Sequence, residues 1–292
     1  MMERLITLLK INNFIFYFLL YFLKNISLYY MASVNKNKVG TCKCIDYYTD
    51  ENNNNFVKQV RKKSGAIHEI KCNKKVKNNT HFCEKHQECP EFLKRFTNQN
   101  EPEYDPNKWS HPFIEGSHNC YAYFLDSIFD NLIKKCEKLC KKKAGTSCPK
   151  KIKECRSLIP QPGDDYLMNS VGSLKSKTYK YNCKEMEEKI KNDNPEIKKS
   201  ELIKKCKKNS YKGAMVVDPG NTFHFYRQNK DGTWSHKPGT LPITNVDSDK
   251  LPIYTPFTAN RDYAKPGDSD PINYTGFCGY YCIPNDAPRS AQ

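Results

Sequence analysis

Residues 118–129 read HNCYAYFLDSIF, and residues 224–236 read HFYRQNKDGTWSH. In and beyond the first stretch, Tyr121, Leu125, Ile128, Phe129, Leu132 and Ile133 recur at spacings of three and four. That spacing predicts a helix with one apolar face, starting at Cys120 with Asn119 in the N-cap position. The second stretch reads as strand, turn and strand. Ala214 to Val217, Thr222 to Arg227 and Thr233 to His236 are β-rich runs, separated by the turn signals Asp218-Pro219-Gly220-Asn221 and Lys230-Asp231-Gly232. Helices first and a meander afterwards predict an α+β domain.

Working outward, a Lys/Cys-rich insertion from Cys136 to Cys155 and the turn Gln161-Pro162-Gly163 follow the first helix. A second, charged helix is expected over Lys184 to Lys207, interrupted near Asn194-Pro195. Upstream, Glu101 to His111 (EPEYDPNKWSH) carries two prolines and several turn formers, which places a domain boundary near it. The expected division is 1–30 a hydrophobic leader or anchor, 31–100 a Cys/His-rich module with its linker, and 101–292 the main domain. The leader carries Arg4 and Lys10, then an apolar run from Phe14 to Leu23 ended by Lys24. It resembles a signal-peptide core or a short anchor, and falls short of the about 20 apolar residues that span a bilayer. Met31, before Ala32 and Ser33, would also make an ordinary start, which leaves the leader dispensable on the other reading.

A chain of 292 residues accommodates one sizeable domain and a small module. Its 19 Tyr and 15 Phe supply enough apolar surface for a core despite a mean hydropathy of -0.80. The net charge of +16 fits either an anionic partner or lysines on solvated helix faces. No aromatic-interleaved RNA or DNA motif accompanies the charge, so solvated faces are favoured over a nucleic-acid partner. Membrane contact is expected only if the leader is retained.

Cysteine chemistry is the next signal. A thiol at a helix start gains from the unpaired N–H groups there, which lower its pKa and favour the thiolate. Cys120 has that placement. His224 and His236 flank a tight turn, and its length decides whether they cooperate. A three-residue loop with Gly232 in the left-handed position puts both imidazoles on one face of the hairpin, together with Trp234; a two-residue loop separates them. In the favourable register one His takes the thiol proton and the other orients it. Asp247 is the alternative orienter and His118 the alternative base.

A Cys at a helix start, a strand-borne His and a second His twelve residues later across a hairpin resemble the NlpC/P60 and CHAP group of papain-like cysteine hydrolases. The phrases HNCYAYFL, QPG, VVDPGNTFHFYRQ, WSHKPG and FCGYYC are also similar to uncharacterised proteins of large DNA viruses. Over Trp109 to Pro284 the resemblance implies a papain-like domain, with the Cys-bearing helix packed on an antiparallel sheet that bears the His. Cys120 would be the nucleophile, His224 the general base and His236 the third polar residue. The implied activity is a thiol-dependent peptidase or amidase working through a Cys120 acyl-enzyme on a peptide- or amide-containing substrate, without metal or organic cofactor. The oxyanion would meet the Cys120 N–H and one further donor, such as Asn119. The insertion at Cys136 to Cys155 and the charged helix depart from the family core. The alternative is a non-catalytic zinc-containing interaction protein that binds a protein partner or nucleic acid through its basic surface. A host cytoplasm or virion location is favoured, with anchoring through residues 1–30 as the alternative.

Fourteen cysteines would suit a disulfide framework, but several lie at metal-ligand spacing beside His, which favours a reducing compartment. His86 follows Cys83 in a C-x2-H step, Cys72 lies upstream, and Cys42 and Cys44 compete for the remaining place, with Cys89 spare. This set predicts a structural zinc site, and CNKKVKNNTHFCEKH resembles small zinc-type modules of large DNA virus proteins. Cys136, Cys140, Cys148 and Cys155, with a C-x3-C step at helical spacing, read as a staple in a helical hairpin or an incidental helix face in preference to a second metal site. Cys278 and Cys282 read as structural closures of the domain.

Overall fold

A computed structural model describes residues 40–52, 55–61, 67–76, 80–144, 155, 158–163 and 181–286. The leader and Cys148 lie outside the described residues. Short strands come first along the chain: β1 (Gly40–Thr41), β2 (Tyr47–Thr49), β3 (Asn55–Val57), β4 (Gln59–Arg61), β5 (Ile67–Glu69) and β6 (Lys75–Val76). The described residues fall into two units, 40–42 with 73–86, and 43–72 with 87–286. In the first, β1 pairs with β6 and a short 3-10 turn, Glu84–His86, follows. In the second, β2 pairs with β3 and β4 with β5.

The second unit continues with helices α1 (Cys89–Lys94), α2 (Pro106–Trp109), α3 (Pro112–Ser117), α4 (Cys120–Phe124), α5 (Asp130–Ala144) and α6 (Cys183–Asp193). Strands β7 (Lys198–Ser200), β8 (Ser210–Asp218), β9 (Thr222–Gln228), β10 (Trp234–Ser235) and β11 (Gly276–Pro284) complete it. They form one antiparallel sheet of order β10-β9-β8-β11-β7. The architecture is therefore α+β, and the meander read from Ala214 to His236 supplies three of the sheet's five strands. The other two are β11, read only as two structural cysteines, and β7.

The helix expected from Asn119 through Ile133 divides in two. Asn119 caps α4 as expected, its side chain accepting from the N–H groups of Tyr121 and Ala122. After Phe124 the chain turns, because Asp126 takes a positive φ of 47° and its carboxylate bonds the buried Arg227 guanidinium on β9. An ion pair with a strand thus overrides a helical apolar pattern, and α5 restarts at Asp130. The charged helix ends at Asp193, before Asn194-Pro195, and does not resume; β7 occupies Lys198–Ser200. The stretch Glu101 to His111 is not a linker. Asp105 caps α2, Glu101 is buried, and Trp109 packs edge-on to Tyr123.

Strand alternation gives β8 and β9 two distinct faces. Tyr211, Met215, Val217, Phe223 and Phe225 pack with Cys120, Tyr121 and Phe124 in the core cluster beneath α4. Gly213 lies under the Phe124 ring, and a Cβ there would overlap that ring and Ile283. This close approach is what allows a five-residue helix to sit flat on the sheet.

The cysteines correct the reduced-chain expectation. Disulfides join Cys44 to Cys89, Cys136 to Cys155, Cys183 to Cys278 and Cys206 to Cys282, and Cys140 is disulfide-bonded too. Two of these bonds clamp β11 to α6 and to the loop before β8, closing spans of 95 and 76 residues. Such pairing belongs to an oxidising environment. Among the described residues no helix is long and apolar enough to cross a membrane.

The Gly213–Phe124 contact yields the first prediction. Gly213→Ala should destabilise the chain by about 1–3 kcal/mol through overpacking, read as a lower urea midpoint. An unchanged midpoint would show that the approach of α4 is not tight.

Candidate functional site

Cys120 is the first residue of α4, and its thiol is buried with 5% of the residue exposed. The Phe225 N–H on β9 acts on the sulfur and favours its thiolate form, which places the thiol near the residue that follows His224. Burial dominates its titration and pushes the thiol up to about 12, against the lowering effects of that N–H and of the Lys237 charge. The thiolate expected at the helix start is therefore absent at neutral pH. The backbone N–H groups of a short helix do not offset the loss of water around the sulfur. Asn119 spends its side chain on the cap and on a bond from Nδ2 to the Pro160 carbonyl.

The histidine pair has the register that the three-residue loop requires. Trp234 pairs with Gln228 and Ser235 with Arg227, the Asn229 N–H bonds the Thr233 carbonyl, and Gly232 has a φ of 90°. His236 falls opposite Tyr226 and diagonal to His224, on the same face. The rings meet, with His224 Nε2 2.7 Å from His236 Nδ1, and His236 Nε2 lies 3.2 Å from the Val246 carbonyl oxygen.

Hydrogen-bond accounting assigns the protons. A carbonyl only accepts, so His236 Nε2 carries the hydrogen and the neutral ring presents a lone pair at Nδ1. His224 must then donate from Nε2, which leaves its own lone pair at Nδ1. Both rings are neutral because burial lowers their pKa values, His236 to about 4 and His224 well below the usual imidazole range. His224 also stacks on Tyr274, with centroids 5.2 Å apart. Its ring leaves β9 on the face opposite Phe223 and Phe225, and among the described residues no hydrogen bond joins the Cys120 thiol to either imidazole.

The two reserve candidates have other work. His118 Nε2 accepts from the Phe129 N–H and its Nδ1 lies 2.8 Å from Ser117 Oγ, so both ring nitrogens are spent on local structure. The Asp247 carboxylate accepts from the N–H groups of Asp249, Leu251 and Asn260 and pairs with Lys43, which makes it a loop staple and not an orienter.

Lys237, which no sequence signal singles out although it stands beside His236 in WSHKPG, is buried near Cys120. Its ammonium donates to the carbonyls of Glu115, Gly239 and Leu241 at 3.1, 2.8 and 3.1 Å. Burial lowers it to about 8, partly offset by Glu115 and Cys120.

The Cys/His expectation resolves into four residues. The ligand atoms of Cys42, Cys72, Cys83 and His86 are buried and lie within 4.8 Å of one another. Three of them belong to the first unit, where His86 Nδ1 is 3.6 Å from Cys42 Sγ and 3.5 Å from Cys83 Sγ. Cys72 is joined to that unit by its peptide bond to Asn73. Cys44 is removed from the candidate ligands, because its sulfur is bonded to Cys89. Such a group can hold a metal ion.

No family model matches the sequence, and no solved structure matches it. The chain is similar to Insoluble matrix shell protein 1 of Ruditapes philippinarum, 48% identical over 48 residues, which is 16% of this chain and 32% of that protein. The chain thus spans about a third of that relative's length.

The buried histidines make acid the destabilising direction. His118 and His236 titrate near 4 in the fold, and His224 also falls well below its usual value of 6.5. The unfolded chain therefore binds more protons in this window, and stability is intact above about pH 6.5 and lost as pH falls towards 4. Urea midpoints should drop between about pH 6.5 and 5, where carboxylates remain ionised, by up to about 1.4 kcal/mol per group and pH unit. Replacing His236 by Gln should flatten the slope; an unchanged slope would contradict the buried neutral pair.

Proposed function

We propose that the chain is a thiol-dependent hydrolase, a peptidase or amidase of papain-like kind, with Cys120 as nucleophile, His224 as base and His236 as orienter. The observation that carries this reading is the directed relay from the Val246 carbonyl through His236 to His224. It leaves the His224 lone pair on Nδ1 in a defined tautomer, which is the state a general base needs. The resemblance of HNCYAYFL and HFYRQNKDGTWSH to the NlpC/P60 and CHAP group supports the same roles.

In the reaction the Cys120 thiol gives its proton to His224 Nδ1 as the sulfur attacks the amide carbonyl. The C–N bond breaks while the imidazolium returns that proton to the leaving amine, and water then hydrolyses the thioester with His224 as base again. Because burial holds the resting thiol protonated, the proton moves during substrate attack and not beforehand. The thiol lies on the Phe225 side of β9 and the His224 ring leaves the other face, so the step requires a rearrangement that brings Sγ and Nδ1 together. Lys237 supplies positive charge as the thiolate develops.

The metal group is proposed as structural zinc. Tetrahedral zinc with bonds of about 2.0–2.3 Å sets its ligand atoms roughly 3.3–3.8 Å apart, and the observed contacts of 3.5 and 3.6 Å fall in that range. Four protein ligands close the coordination sphere, which suits structure and not catalysis. The disulfides support work in an oxidising environment, in place of the host cytoplasm.

A second reading has its own observation: the protonated thiol makes no hydrogen bond to either imidazole. In it, disulfides and metal hold a non-catalytic interaction protein that binds a protein partner, or nucleic acid through its basic surface.

Alkylation separates the two. Iodoacetamide should modify Cys120, and His224→Ala should slow that reaction by about tenfold or more, read by peptide mass mapping. His118→Ala should leave it unchanged. On any peptide or amide substrate cut, Cys120→Ala and His224→Ala should abolish turnover, while His236→Ala retains a residue. Labelling of Cys120 that ignores His224 would end the hydrolase reading.

Metal analysis of the full chain should find about one zinc per molecule. His86→Ala should lose it, whereas Cys44→Ser should keep it, since Cys44 is held in a disulfide. Retained zinc in the His86 variant would remove the proposed ligand set.

A further inference from the structure

Arg261 lies close to the relay and is not used by it. Tyr263, two residues on, has its ring 6.4 Å from that of His236 and 6.1 Å from that of Tyr274, the residue stacked on His224. The Arg261 guanidinium sits 5.7 Å over the Phe277 ring, and Lys71 Nζ sits 5.2 Å over the Phe257 ring. Those two rings are 5.2 Å apart and edge-to-face, so both cations share one aromatic platform. All four side chains belong to half-buried residues.

This platform lacks anions. Arg261 Nη1 is buried without a hydrogen-bond partner. Among the described residues no carboxylate comes within ion-pair distance of Arg261 or Lys71. Arg227 differs in having an anionic partner: its guanidinium bonds the Asp126 carboxylate, the Tyr123 hydroxyl and the Glu103 carbonyl, and only its Nε lacks a bond. A guanidinium donor withdrawn from water and left unpaired costs free energy, and a planar oxyanion meeting the fork edge-on would satisfy it. The two oxygens of a carboxylate match the planar guanidinium fork bidentately.

We propose that Arg261, with Lys71 across the Phe257–Phe277 pair, binds a carboxylate of the substrate. That the carboxylate belongs to a substrate rests on the hydrolase reading; the carboxylate site itself does not. The amide to be cut would then belong to a molecule with a free carboxylate a short distance from the scissile bond, and the pair would set specificity by discriminating acid from amide.

The test is a titration of the full-length chain labelled with nitrogen-15, following the arginine Nε–Hε resonances. Sodium acetate should move the Arg261 resonance saturably, acetamide should not, and the Arg227 resonance should stay in place as an internal reference. In the Arg261→Met protein, whose backbone spectrum checks its fold, the acetate-dependent shifts of neighbouring Phe277 and Tyr263 amides should vanish, and Arg261→Lys should restore part of them. An Arg261 resonance unmoved by acetate, or moved equally by acetamide, would overturn the proposal. Loss of Cys120 alkylation control by His224 with acetate binding intact would remove the hydrolase reading and leave the site; the converse would remove only the site.

Discussion

The Phe124 ring lying in the space above Gly213 is the contact on which the arrangement of the site depends. It brings α4 down onto β8 and β9, and the helix start then delivers the Cys120 sulfur to the Phe225 N–H. Arg227 ends the helix by drawing Asp126 out of line, and the same guanidinium lies over the Tyr123 ring, 4.0 Å from its centroid. Tyr123 in turn bonds Ser235 on β10. One strand therefore holds both ends of α4 and also carries His224, so the thiol and the imidazole are positioned by the same few residues.

Burial acts in two directions at this place. It strips water from His224 and His236, and because neither can easily charge, their protons are set by geometry alone, starting from the Val246 carbonyl. The same dryness raises the Cys120 thiol, so it does not ionise at rest. The neutral rings on one face of β9 and the protonated thiol on the other are both the expected states of groups in low dielectric. In the hydrolase proposed above, the proton would therefore move only within the substrate complex. Lys237, held by three carbonyls, is a fixed charge near the thiol.

Much of this was legible in residue order. Lys230-Asp231-Gly232 between alternating runs defined a hairpin but left its loop at two or three residues; the structure has the three-residue loop with a left-handed Gly232, which brings His224 and His236 onto one face. Asn119 before an apolar run read correctly as a cap. What was not legible depended on partners distant in sequence. The break at Asp126 is caused by Arg227, and nothing in the spacing of Tyr121, Leu125 and Ile128 foretells it. β11 was hidden because Gly276–Pro284 carries two glycines and two cysteines, and only its pairing with the full length of β8 makes it a central strand. Trp109 and Glu101 looked like linker because prolines around them suggested turns, whereas the turns here are helix starts.

The cysteines mislead for a related reason. Spacing beside histidine says which thiols could share a metal, but it does not say which thiols find each other first when the chain closes on itself. Cys42 and Cys44 are two residues apart and equivalent in sequence terms, yet the intervening turn of backbone sends one sulfur towards His86 and the other to Cys89. A chain that pairs so many of its cysteines while three remain as thiols around one imidazole needs something to keep those three from pairing as well. Odd stoichiometry supplies part of the answer, since three thiols cannot all be satisfied by disulfides among themselves. The proposed coordination would supply the rest, because a thiolate bound to a metal is withdrawn from exchange. The sulfurs of Cys42 and Cys83 would then be set apart from the disulfide-bonded ones by closing against the His86 imidazole and not against another sulfur.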